Sequence, residues 1–203
     1  MIEWGFRLNE YDKCVPNKII NGKQCTVIWH FDDLKISHIE PNVVNDVIKK
    51  LEAKFGQESP LVTSQVKTID YLGMCIDYMA KGKVKILMYD YIDKMLTELP
   101  SDMNGVSTTP AALHLFNMDD GAQKLDKDRA QLFHHLVAKL LYLSRRSRQD
   151  IQTAVVFLCM RVQSPDVDNY KKLARVMKYI CDTRDMTLTI EADDGPKWWV
   201  DSS

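Results

Sequence analysis

The sequence has no CxxC pair and no disulfide framework: its five cysteines, Cys14, Cys25, Cys75, Cys159 and Cys181, are odd in number and irregularly spaced. That excludes a small cysteine-stapled scaffold and points to reduced thiols in an intracellular protein, cytoplasmic or nuclear alike. No apolar run approaches the ~20 residues needed to cross a bilayer, so no membrane is expected among the partners. No leader is expected either, because charged and polar residues follow Met1-Ile2-Glu3-Trp4 directly. Net charge is nearly absent too, at −1 over 203 residues, and the total by itself indicates no partner.

The distribution of charge is more informative. From Arg129 to Arg184 there are eleven Lys/Arg against four Asp/Glu, or +7, which leaves −8 for the rest. A segment of that sign suits a phosphate backbone, and equally suits an ordinary pair of solvated helix faces. With 45% apolar residues the chain can bury one sizeable core or two small ones. A zinc site from Cys14, Cys25, His30 and His38 matches no finger spacing; these residues read as buried thiols and surface histidines.

The feature that carries chemistry is His30-Phe31-Asp32-Asp33, between Lys23-Gln24-Cys25-Thr26-Val27-Ile28-Trp29 and Leu34-Lys35-Ile36-Ser37-His38. Both flanks read as strands, so the acids lie at a hairpin tip. Adjacent carboxylates disfavour joint ionisation unless a cation sits on them. Oxygen-only ligands select Mg²⁺ or Mn²⁺. The plain alternative is an ordinary α+β domain in which Asp is simply a common turn residue.

The remaining pattern is α+β. Asn21-Gly22 predicts a type I′ hairpin turn, so the first sheet is an antiparallel meander. Pro41 opens a helix with Val43, Val44, Val47, Ile48, Leu51 and Phe55 at helical spacing, and Gly56 is expected as its left-handed cap. Strands are expected at 71–78 and 83–88, then a short helix ending at Pro100. Residues 101–125 lack periodicity and read as an interdomain connection or a segment that needs a partner. Apolar stripes from Leu132 to Leu143, from Ile151 to Cys159 and from Tyr170 to Ile180 predict three helices, the last capped by Ser164. His134 and His135 lack the i, i+4 spacing of a paired-histidine metal site, and the C-terminus returns to strand.

Six stretches in order support a resemblance. They begin with Gly5-Phe6 and Tyr11-Asp12-Lys13-Cys14, then Trp29-His30-Phe31-Asp32-Asp33-Leu34-Lys35-Ile36, then Asp70-Tyr71-Leu72-Gly73-Met74. Ser107-Thr108-Thr109-Pro110 follows, then Leu136-Val137-Ala138-Lys139-Leu140-Leu141-Tyr142-Leu143 with Arg148-Gln149-Asp150-Ile151, and finally Lys197-Trp198-Trp199-Val200-Asp201. In this order they resemble the reverse transcriptase (RNA-directed DNA polymerase) of copia-type LTR retrotransposons. The usual forms there are Tyr-Val-Asp-Asp, Tyr-Phe-Leu-Gly, Ser-Thr-Pro and Arg-Pro-Asp-Ile.

The resemblance implies a partial polymerase palm over 1–88, a short helix and linker over 89–125, and a helical thumb and connection region over 126–184. The first strands of a truncated ribonuclease H-like domain would occupy 185–203. It also implies two-metal nucleotidyl transfer with Mg²⁺ or Mn²⁺, an RNA template and a DNA primer. Asp32 and Asp33 would be the catalytic metal ligands, Asp32 directly and Asp33, on the other side of the strand, in support. Phe31 would brace the tip near the primer end, and the Tyr71-Leu72-Gly73 strand would hold the primer backbone. Lys139, Arg145, Arg146, Arg148, Lys171, Lys172 and Arg175 would follow the nucleic-acid backbone, and Asp201 would be the first ribonuclease H carboxylate.

The family places a further Asp and the fingers upstream of the point where this sequence starts, and the other ribonuclease H acids beyond Asp201. The expectation is therefore a fragment inactive without the missing upstream polymerase segment, with weak Mg²⁺ binding. The alternative is a retained nucleic-acid-binding module built on the basic helical region.

Overall fold

Asn21-Gly22 forms the left-handed turn expected of it, with φ of 52° and 73° and Ile20 paired to Lys23 across it. In the computed structural model, which describes residues 1–191, this turn joins β2 (Pro16–Ile20) to β3 (Lys23–His30). β3 turns into β4 (Asp33–Ser37), and a short β1 (Arg7–Leu8) pairs along β2, giving an antiparallel meander in the order β1-β2-β3-β4. Alternation along β3 sets Cys25 and Val27 on one face. There they are fully buried with Phe6 and with Val43, Val47 and Leu51 of α1 (Pro41–Phe55). Pro41 fills the first helical position, where a missing N–H leaves nothing unsatisfied. Gly56 is not the left-handed cap expected: it is right-handed (φ −64°, ψ −18°), and its N–H donates to the Glu52 carbonyl as in the helix itself. Meander and helix belong to one compact unit, Met1–Val66, and a second runs from Lys67 onward.

The boundary thus falls before the second set of strands, earlier than the expected position after Met88. β5 (Thr68–Tyr71), β6 (Met74–Asp77), β7 (Lys83–Leu87) and β8 (Leu188–Glu191) form a second antiparallel sheet in that order. Residues 71–78 are not one strand. Leu72 and Gly73 take φ of 51° and 70°, and Tyr71 pairs with Met74, so the chain reverses there. β8 comes from the stretch expected to open a ribonuclease H-like domain; it pairs with β7, Leu188 opposite Ile86. The last landmark, with Asp201, lies outside the described residues.

The helices of the second unit are α2 (Tyr89–Leu96), α3 (Lys127–Arg146), α4 (Gln152–Cys159) and α5 (Val167–Asp182). Among the described residues no helix is long and apolar enough to cross a membrane. Asp126 caps α3 by accepting from the Arg129 N–H (2.9 Å). α5 is capped by Asp166, not Ser164: Asp166 accepts from the Asn169 N–H (2.8 Å), and the Asn169 side chain accepts in return from the Asp166 N–H (3.4 Å). A carboxylate there also complements the positive end of the helix dipole. The stripes of all three helices meet in one core with Ile92 and Met95 of α2.

Residues 101–125 do not link domains. Met103 and Leu115 are buried in that same core, Phe116 stands edge-on to Phe157 (centroids 5.8 Å apart), and the Lys172 ammonium donates to the Asn117 carbonyl (2.5 Å). The segment contributes single side chains from an irregular backbone, and so shows no period.

Arg148 is 1% exposed. Its Nε and Nη2 donate to the two carboxylate oxygens of Asp150 (2.9 and 2.7 Å). Nη1 and Nη2 also donate to the carbonyl and hydroxyl oxygens of Thr183 (2.9 and 2.7 Å), fastening the turn after α3 to the end of α5. Burial alone would raise the Asp150 pKa; the Arg148 hydrogen bonds and charge, with help from Tyr179, outweigh it and hold the carboxyl below its ordinary range. Arg148→Met strands Asp150 and is expected to lower the unfolding free energy in urea at pH 7 by about 3 kcal/mol. Because the folded pKa is depressed, the Asp150 contribution is complete above the unfolded value of about 4. It is lost as pH falls through the folded value, so urea melts at descending pH should show a shallower acid limb for Asp150→Asn than for the native chain.

Candidate functional site

Between β3 and β4 the loop is Phe31-Asp32, with His30 opposite Asp33. φ is positive at Phe31 (50°) but not at Asp32, and the first position of a two-residue hairpin loop is one that glycine, asparagine or aspartate usually fills. A bulky residue in the left-handed region costs roughly 1–2 kcal/mol. Phe31 nevertheless occupies it with its ring 90% exposed and edge-on to His30 (centroids 4.8 Å apart). Local strain of this kind is characteristic of functional loops.

Pairing sets Asp33 on the His30 face, opposite the face of Cys25 and Val27. Asp32 is a turn residue, so strand alternation does not place it, contrary to the two-sided assignment expected. Both carboxylates are exposed, and neither makes a hydrogen bond or ion pair with a described residue. Adjacent, exposed, oxygen-only donors fit Mg²⁺ or Mn²⁺, which keep several waters when held by one or two carboxylates. Among the described residues, no group of three or more His, Cys, Asp or Glu could hold a metal ion. Cys25 is a core thiol, its pKa pushed up by burial, and His38 accepts from the Glu40 N–H (3.0 Å) at the start of α1.

Tyr71-Leu72-Gly73 belongs to the other compact unit. Tyr71 ends β5, and Leu72-Gly73 turns the chain into β6, so the stretch is a strand end and a turn rather than one strand, and it is fastened to α3. The Tyr142 hydroxyl donates to the Leu72 carbonyl (2.7 Å), Tyr142 stacks on Tyr91 (5.2 Å), and the Arg146 guanidinium lies 3.5 Å from the Tyr142 ring centre. The Tyr91 hydroxyl donates to the Lys139 carbonyl (3.1 Å); burial, with Tyr142 adjacent, pushes its pKa up to about 12.

The seven basic residues expected along a nucleic-acid backbone have different surroundings. Arg148 is fully engaged inside the protein and cannot reach a phosphate, which corrects that assignment. Lys172 is corrected likewise: it is buried against Asp168 (2.8 Å) and the Asn117 carbonyl. Lys139 pairs with Glu98 (2.5 Å), which also meets His135 (3.0 Å); these hydrogen bonds, from Lys139 first, lower the Glu98 pKa. Arg146 covers Tyr142, Arg145 and Lys171 are exposed, and Arg175 donates to the Thr109 hydroxyl (2.9 Å).

No family model and no solved structure matches the chain. It is 23% identical over 159 residues to a transposon Ty5-1 protein of Saccharomyces cerevisiae. The chain is distantly related to a transposon protein. The match covers 78% of this chain and 49% of the yeast protein, so the chain spans about half the length of its relative.

Because the Phe31 ring packs on no core residue, Phe31→Gly is expected to relieve the turn and stabilise the first unit by about 0.5–1 kcal/mol, less whatever the unfolded chain gains in freedom. Chemical melts followed by Trp4 and Trp29 fluorescence would show it; a loss of stability would mean that the ring supports the fold.

Proposed function

We propose that this chain is a palm, thumb and connection fragment of an RNA-directed DNA polymerase from a copia-type retrotransposon. In this reading the hairpin tip presents two carboxylates to a divalent cation. The observation that carries it is the tip itself: Asp32 and Asp33 stand bare at the end of a hairpin whose turn keeps an exposed aromatic in a strained conformation. The ordered landmarks of the sequence and the distant likeness to a transposon protein support the same reading.

Each residue then has a role. Asp32 and Asp33 bind and orient the cation, whose chemistry is to polarise phosphoryl oxygens and lower the pKa of an attacking hydroxyl. Phe31 offers an apolar ring beside them, against which the sugar and base of a primer end can rest. The burial of Cys25 and Val27 on α1 holds the base of the hairpin. The RNA template, the DNA primer and an upstream polymerase segment carrying a further carboxylate would be the partners.

Titration with Mn²⁺ tests this directly. Amide NMR signals of His30 to Leu34 should broaden first, at millimolar rather than micromolar metal, and Asp32→Asn should abolish the selectivity. Broadening spread evenly over the acidic surface would overturn the assignment. Primer extension on an RNA template by this chain alone is expected to give no product, and clear extension would sink the inactive-fragment reading.

A further inference from the structure

Ser107-Thr108-Thr109-Pro110 has no part in the metal chemistry proposed for the hairpin tip. Thr109 is exposed, on irregular backbone. Its hydroxyl donates to the Ala111 carbonyl (2.9 Å) and accepts from Nη2 of Arg175 (2.9 Å), which comes from α5, 66 residues further along the chain. Nε of the same guanidinium is buried and has no hydrogen-bond partner among the described residues. Nε and Nη2 form one edge of the guanidinium fork. Arg148 grips both oxygens of Asp150 with that edge (2.9 and 2.7 Å). On Arg175 a single hydroxyl fills half of it. A buried cationic donor left over calls for an acceptor, and the group that matches the whole edge carries two anionic oxygens.

The surroundings favour an anion on Thr109. Lys171, Arg175 and Lys178 stand at i, i+4 and i+7 on one face of α5, and the irregular segment 102–115 lies opposite across open space. Arg175 borders a cavity of about 220 Å³ on the Pro110 side and another of about 440 Å³ on the Ser107 side, which leaves room for a tetrahedral group beside Thr109. The acids there are engaged: Asp168 pairs with Lys172 (2.8 Å), and Asp102 accepts from the Tyr170 hydroxyl (3.2 Å). Among the described residues, Lys171, Arg175 and Lys178 have no carboxylate partner.

We propose that Thr109 is a phosphorylation site, and that Arg175, with Lys171 and Lys178, is the clasp that receives the phosphate. The donor is a nucleoside triphosphate, and the catalyst a kinase that reads a hydroxyl residue followed by proline. The bond between the γ-phosphorus and the β,γ-bridging oxygen breaks, and a P–O bond to Thr109 Oγ1 forms. The nucleoside diphosphate leaves, and the hydroxyl proton passes to the base of the kinase. Pro110 has no N–H to satisfy and biases Thr109 toward extended backbone. Phosphorylation ends the bond to Ala111, but a charge of about −2 then meets Nε, Nη2 and the two lysines, with roughly one to three new charge-assisted bonds. Segment 102–115 is thereby pinned to α5, and an open basic cleft becomes a closed one with most of its charge cancelled. Two other hydroxyls precede proline, Ser59 and Ser164. Ser164 lines a cavity with Asp119, Asp120 and Asp166, which repel a phosphate. The Ser59 hydroxyl has no cationic partner among the described residues.

Modification is tested by treating the full chain with a proline-directed serine/threonine kinase and ATP, then mapping the product by tandem mass spectrometry. Phosphate is expected on Thr109 and absent there in Pro110→Ala; incorporation only at Ser59 or Ser164, or none, overturns the proposal. The clasp is tested without a kinase on a full chain made with Thr109→phosphothreonine. Amide exchange over residues 104–112 should slow by roughly tenfold. The ³¹P resonance should titrate below the ordinary second pKa of about 6. Lys171, Arg175 and Lys178 face it, Arg129 and protonated His114 line the same cavities, and cations favour the dianion. Both effects should vanish with Arg175→Gln. Lys171→Gln with Lys178→Gln removes no internal bond, so it should reduce the ³¹P shift with an unchanged thermal melt. Unchanged exchange with titration near 6, or the same shift with Gln at 175, would show that no clasp exists. Asp32→Asn should alter none of these readings, so this outcome is separate from that of the Mn²⁺ titration.

Discussion

Positive φ at the first residue of a two-residue hairpin loop is the constraint on which strand pairing in both units depends. It occurs at Asn21, Phe31 and Leu72. Each loop fixes a register, Ile20 on Lys23, His30 on Asp33 and Tyr71 on Met74. A slip of one residue would exchange the faces of Cys25 and Val27 with those of their neighbours and empty the first core. The turns therefore set both what is buried on α1 and where the carboxylates emerge.

These three turns differ in what they ask of their residues. Asn and Gly enter the left-handed region readily. Leu72 is helped there by Gly73 and by the Tyr142 hydroxyl on its carbonyl. Phe31 has no such support beyond its contact with His30. The place where the backbone preference is most clearly violated is thus the place where the acids stand.

The second unit shows how far charge counting reaches. The excess of Lys and Arg in its helices is real, but packing spends part of it internally: Arg148 clasps Asp150 and Thr183, and Lys172 holds the loop at Asn117. What is left outward is a narrower set along α5. The segment that faces it carries Met103 and Leu115 into the core without any repeat, because an irregular chain can bury side chains singly where a helix must bury a stripe.

The sequence by itself determined the local elements. Asn21-Gly22 announced its turn, period two along β3 and the 3.6-residue spacing of α1, α3 and α5 announced their buried faces, and the flanking strands announced that Asp32-Asp33 lies at a hairpin tip. These are readable because they depend on neighbours within a turn or two of chain. Tertiary structure alone decided the rest: that β8 joins β7, that Arg148 is interior, and that α5 faces residues 102–115 across open space. Each of these is set by a partner tens of residues away, and no local pattern encodes which distant group will satisfy a guanidinium, a carbonyl or a strand edge.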